Sequence, residues 1–185
     1  MTTRKTRILL AAATIFAAGV WQLAAEEKAH KLTTVSIRKM ADSLHAVIAA
    51  DRQTYAALVA QRLAAGAADG LPGHAPFLRQ AARSIQQQGA EFSYTLRSLT
   101  PINAANGPQT EAEQAGLEFV AQQPGVAYYA EEELGGRSYF TAVYADRATL
   151  TSCVDCHNRH PDSPRRNLKA GDVMGALVVR VPLEF

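Results

Sequence analysis

The chain of 185 residues holds only two cysteines, Cys153 and Cys156, and a histidine, His157, follows the second directly. Two thiols separated by two residues can add to the two vinyl groups of one porphyrin, and the next residue then offers an imidazole to the iron. Cys153-Val154-Asp155-Cys156-His157 is therefore expected to hold one covalently attached haem c, with thioethers at Cys153 and Cys156 and His157 as the proximal axial iron ligand. Two other chemistries compete. A Cys-x-x-Cys redox disulfide normally opens a helix after a strand in a βαβ setting, whereas here a Pro-rich loop follows. A zinc site would recruit Cys153, Cys156, His157 and His160, yet structural zinc usually draws its ligands from two separated segments.

The opposite side of the iron decides potential and ligand access. Candidates for the distal position are Met40, His45 and Tyr55 in a long helical stretch, His74 in a Gly/Pro loop, Met174 at the start of the last strand, water, or no ligand at all. Met40 and Tyr55 also fit an apolar stripe and read most simply as core residues. His30 reads as solvated, and His160, one helical turn after His157, as orienting its loop. Arg165, Arg166 and Lys169 are candidate partners of the propionates, with a solvated loop as the simpler reading. Asp51 is expected on the inward side of the long helix, and Gly175 is expected to admit a close approach of backbone or haem.

The elements that position these groups start with an export signal. Arg4, Lys5 and Arg7 precede an apolar run from Ile8 to Leu23, a positive region followed by a hydrophobic one. At about 1.5 Å per residue this run is short of the roughly 30 Å hydrocarbon core, although flanking residues extend it. The best small-residue cleavage candidate, Ala17-Ala18-Gly19, falls inside the apolar run, so residues 1–25 are read as an uncleaved anchor in the inner (cytoplasmic) membrane, with a cleaved signal peptide as the alternative. Residues 26–185 would then form one periplasmic or otherwise extracytoplasmic domain, the compartment in which c-type haem is attached. Nineteen basic and seventeen acidic residues are interspersed, which gives no cationic patch for nucleic acid.

Residues 24–65 lack proline and glycine and carry apolar residues at helical spacing, predicting one long helix. A second helix is expected from Phe77 to Gln88, ended by Gly89, and a strand around Phe92, Tyr94 and Leu96. Thr110 and Glu113 form a capping box for a third helix through Gln123. Two strands, Val126 to Glu132 and Arg137 to Tyr144, flank Gly135-Gly136, a pair suited to a tight hairpin. A last strand, Val173 to Leu183, alternates with Val173, Leu177, Val179, Val181 and Leu183 on one face. The fold class is α+β.

Taken together, Cys153-Val154-Asp155-Cys156-His157-Asn158-x-His160-Pro161-x-Ser163-Pro164 and Lys169-x-Gly171-Asp172-Val173-Met174-Gly175 resemble the extracytoplasmic c-haem sensor domain family, formerly a domain of unknown function. Upstream matches are Arg52-x-x-Tyr55, Ser98-Leu99-x-Pro101-x-Asn103 and Tyr144-x-Asp146. The resemblance implies a PAS-like fold, an antiparallel sheet of four to five strands with a long N-terminal helix and two shorter helices. It also implies redox or gas sensing at the haem held by Cys153, Cys156 and His157. Some members take a second axial ligand from a cysteine on the long helix, and this sequence has none to supply.

The expected function is that of a monohaem redox or diatomic-gas sensor outside the cytoplasm, signalling to an unidentified protein partner. The alternative is a periplasmic electron-transfer cytochrome. The sequence carries no second span or output module, so a signal is expected to leave through a partner or the long helix. An enzyme is not expected, because no paired His and Arg acid–base arrangement is visible.

Overall fold

A computed structural model describes residues 3–67 and 70–183; most side chains before residue 36, and that of His74, lie outside the description. The chain divides into two units, residues 1–39 and 40–185. The elements are α1 (Thr3–Ala64), α2 (His74–Gln87), β1 (Ser93–Arg97), a 3-10 turn (Ala104–Asn106), α3 (Glu111–Gln122), β2 (Tyr128–Leu134), β3 (Arg137–Arg147), α4 (Thr151–Arg159) and β4 (Val173–Pro182). The first unit is helical wherever it is described. Among the described residues no helix is long and apolar enough to cross a membrane. The run from Ile8 to Leu23, read above as an anchor, falls almost wholly outside the described side chains.

The second unit is built on one antiparallel sheet of four strands in the order β1-β4-β3-β2. This α+β architecture, with its long N-terminal helix, is the expected one, except that there are three shorter α-helices rather than two. Local chemistry accounts for the elements read correctly. Gly135 and Gly136 take φ values of 61° and 77°, as a hairpin turn matched to strand twist requires. Thr110 accepts the Glu113 N–H at 3.2 Å and caps α3.

The alternation expected for β4 does not hold, because the strand lies between β1 and β3 and is buried along nearly its whole length. Ala176 and Val178 pack with Val143 against Leu117 and Val120 of α3, while Leu177 and Val179, on the other face, are buried as well. A strand covered on both faces reads as a continuous apolar run rather than an alternating one. Each fully buried side chain of this kind contributes about 1.5–3 kcal/mol relative to exposure.

The inward face of α1 is turned away from the one expected for Met40 and Asp51. Ala41 and Ile48 are buried, whereas Met40 and Val47 are exposed at 40% and 62%. That rotation turns Arg52 inward and leaves Asp51 at the surface; one residue along a helix is a turn of about 100°. Asp51 is therefore not the charged residue of the inner face.

Charge is buried elsewhere. The Glu113 carboxylate, fully enclosed, meets Arg97 at 3.0 Å and Arg180 at 2.9 Å, and accepts the Gln109 N–H at 2.6 Å. Arg180 also reaches Glu132 at 2.7 Å. The capping-box residue thus ties α3 to β1, β4 and β2. A buried carboxylate is tolerated only when its lone pairs are satisfied in this way.

Candidate cofactor site

Cys153, Cys156 and His157 lie on α4, a helix that the sequence pattern did not predict. Its first residues have no side-chain cap, and its sequence is polar, so only weak signals marked it. These are the Asp155–Arg159 pair at i,i+4 and the basic His157 and Arg159 in the last turn. On a helix, positions 153, 156 and 157 are spaced i, i+3 and i+4, which places both thiols and the imidazole on one face. Cys156 is exposed, Cys153 and His157 are half-buried, and both thiols are free.

Behind α4, the chain from His160 to Asp172 is fastened to itself. Asn158 donates to the Leu168 carbonyl at 3.0 Å and accepts the Leu168 N–H at 2.9 Å. His160 Nδ1 accepts the Asp162 N–H at 3.2 Å, the loop-orienting role expected of it. Arg165 binds Asp172 at 2.6 Å and the Val173 carbonyl at 3.2 Å, and Arg166 binds the Pro161 carbonyl at 2.7 Å. Both guanidinium groups are therefore engaged within the loop. Cys153 and Val154 rest on a small cluster of Ala148, Leu168 and Met174.

Cys156, His157 and His160 line a groove of about 420 Å³, whose other walls include Asp146, Met174, Gly175, Leu96 to Ser98, Thr100 to Asn103, and Gly73, Ala75, Pro76 and Arg79 around the start of α2. That volume falls in the range of ordinary ligand sites. The loop after β1 is held in shape by Ser98 N–H to the Asn106 carbonyl at 2.9 Å and by Asn103, which caps the 3-10 turn. Arg79, which the sequence reading missed, reaches Asn106 at 3.2 Å and is the exposed cation of this wall. At the end of the sheet the β3–β4 register slips between Asp146 and Arg147, leaving Met174 without a partner. A bulge of this kind re-aims a side chain next to a site. The Met174 carbonyl is taken by Ser98 Oγ at 2.7 Å.

The distal candidates separate clearly. Met174 is the one that lines the groove among those whose side chains are described. Met40 is exposed, and the His45 ring stacks on Tyr144 with centroids 3.9 Å apart. Tyr55 donates its hydroxyl to the Pro72 carbonyl at 2.7 Å and stacks on Phe77. The side chain of His74 lies outside the described residues.

The upstream motif pieces meet at the groove. Arg52 binds Asp146 through two hydrogen bonds of 2.6 and 2.7 Å, and the pair is largely enclosed. Burial raises the Asp146 carboxyl, and the Arg52 guanidinium opposes that rise. Burial, then the nearby His160 and Arg52, holds His157 below the ordinary imidazole value. A neutral imidazole is the form that binds a metal. Tyr144 and Tyr129 both donate to Asp42, at 2.8 and 2.7 Å.

His45 yields a pH prediction. Burial lowers it, with Asp42 acting in the opposite sense. Its contribution to stability is intact above the unfolded value near 6.5 and is lost as pH falls through the lower folded value. His45→Phe keeps the stack on Tyr144 and should flatten part of that loss, read from thermal melts between about pH 7.5 and about pH 5.

The donor set suits one cofactor class. Two thiols and an imidazole share a helix face, and two of these three groups open onto a groove large enough for a ligand. Among the described residues no three His, Cys, Asp or Glu side chains converge as a cage for a bare metal ion. Residues 23–182 match the family model described as Tll0287-like: Tll0287. Among solved structures, the chain is similar to the crystal structure of the cyanobacterial haem protein Tll0287. The two are 16% identical, the match covers 60% of this chain and 73% of that one, and the TM-score is 0.45. No curated protein matches.

Proposed function

The chain belongs to the Tll0287-like family, and from that membership and its own groove we propose that it is a monohaem c-type protein acting as an extracytoplasmic redox or diatomic-gas sensor. The observation that carries this reading is the placing of Cys156 and His157 on one groove wall, with Cys153 one turn away on the same helix. A haem held there supplies a one-electron couple and a second axial position. His157, kept neutral by its surroundings, would present a ring nitrogen to the iron. Cys153 and Cys156 would fix the group to α4, and the self-bonded loop from His160 to Asp172 keeps that helix in place.

For sensing, a change at the iron must favour one protein conformation over another. Moving a population from 1:99 to 99:1 takes about 5.5 kcal/mol of differential affinity. Asp146 is a groove wall residue bound to Arg52 of α1, so the groove and that helix share a charged contact. The proposal places the protein outside the cytoplasm, held to the inner membrane by residues 1–25. The reasons are the basic and apolar segments at the N-terminus and the compartment in which c-type haem is attached. The partner is proposed to be a signalling or redox protein, and no catalytic turnover is proposed.

A second reading, an electron-transfer cytochrome, draws support from the exposure of Cys156, since a thioether at the surface brings the porphyrin edge within reach of a partner. One spectrum distinguishes the two. Protein matured with c-type machinery is recorded oxidised, reduced, and reduced under carbon monoxide. A sensor is expected to bind carbon monoxide rapidly or to show a high-spin state. A carrier is expected to be six-coordinate and low-spin in both states and insensitive to carbon monoxide. Colour that acid-acetone removes completely would overturn both readings.

A further inference from the structure

We propose that the Arg52–Asp146 pair is an internal charge balance that sets the reduction potential of the iron, with Asp146 favouring the oxidised and Arg52 the reduced state. The inference deepens the haem reading above and rests on it. Asp146 is a wall residue of the groove that also holds His157. Arg52 meets it at 2.6 Å, with side-chain exposures of 16% and 12%. Water therefore screens neither charge well, and both act over a longer reach than surface charges do. The guanidinium is also incompletely used, since its Nε–H is buried with no acceptor among the described residues.

Arg97 and Arg180, other enclosed cations, are committed to Glu113, and Arg165 to Asp172. The ferric centre carries one more positive charge than the ferrous one. A lone carboxylate nearby favours the ferric state, a lone guanidinium the ferrous state, and a closed pair nearly cancels.

The test uses full-length protein with covalent haem, read by spectroelectrochemical titration. Asp146→Asn leaves Arg52 unbalanced and is expected to shift the ferrous-to-ferric ratio about tenfold towards ferrous, a rise of about 59 mV for one electron. Arg52→Gln is expected to move the potential down. The double variant removes both charges, keeps similar shapes, and should return close to the wild-type value. Arg52→Lys, which keeps the charge, should stay near wild type too.

A structural role alone predicts the reverse ranking, with the double variant at least as perturbed as either single one. The proposal is overturned if neither single variant moves the potential, if both move it in the same direction, or if the double variant keeps the shift. It is also overturned if the variants lose haem while the wild type retains it, for the pair would then hold the fold and not the potential. A wild-type protein that never acquires haem would instead refute the cofactor reading itself.

Discussion

Expressed with c-type maturation machinery, the double variant Cys153→Ala/Cys156→Ala should carry no haem that survives denaturation, whereas the wild type should carry one per chain. The loss is expected to be complete, because these are the only cysteines and no other side chain can form the thioethers. Unfolding does not account for it. Cys156 is exposed and Cys153 only half-buried, so removing the two sulfurs should cost at most about 1 kcal/mol, well below the cost of emptying a fully buried site.

The single variants each leave one thioether and should show the altered band positions of a haem with one unreacted vinyl group. His157→Ala keeps both thiols and tests the ligand separately from attachment; its spectrum should lose the signature of axial histidine. Covalent colour in the double variant, read by haem staining on a denaturing gel, would defeat the attachment reading. Circular dichroism matching that of wild-type apoprotein would certify that the fold was kept.

The motif could be proposed from sequence because three residue types in fixed order suggest a chemistry without reference to a fold. The groove was not, because its walls come from places far apart in the chain: α4, the β3–β4 bulge, the loop after β1 and the start of α2. Gly135-Gly136 and Thr110 were legible for a related reason, each acting within a few residues of itself. Arg52 and Asp146, 94 positions apart, carry no local sign that they pair. The phase of α1 failed for want of the same information. Its exposed Met40 and Val47 are as apolar as its buried Ile48, so periodicity alone could not say which of them the sheet covers.

The resemblance contributed what periodicity could not, and the structure gives its motif residues physical reasons. Ser98 is needed for the carbonyl that the bulged Met174 cannot bond across the sheet. Asn158 is needed to hold Leu168 from both sides, which seats α4 over the Ala148, Leu168 and Met174 cluster. Asp172 closes the loop through Arg165 and the Lys169 N–H. These residues position α4 without having to touch what it would carry.

Gly175→Ala is expected to destabilise the protein by about 3 kcal/mol, at the upper end of the usual cost of overpacking. A Cβ at that position would lie 2.3 Å from the Arg97 carbonyl oxygen and 3.2 Å from Ser98 Cβ. The first of these is backbone, so no rotamer change relieves it, and either β1 or β4 must shift. Three features depend on that spacing: the β1–β4 pairing that ends at Arg97 and Ala176, the Ser98 bond to Met174, and Arg97's hold on buried Glu113. A domain of this size should lose roughly 6–12 °C in melting temperature for such a change.

The site should respond as well, since Gly175, Met174, Arg97 and Ser98 all line the groove. If Met174 is the second axial ligand, holoprotein that survives the substitution should lose the low-spin signature of methionine coordination. If the second position is open, carbon monoxide should still bind while the melting temperature falls. Gly175→Ala protein with unchanged melting would show that the β1 and β4 backbones have room to part at this crossing. The close approach would then contribute nothing to the shape of the groove.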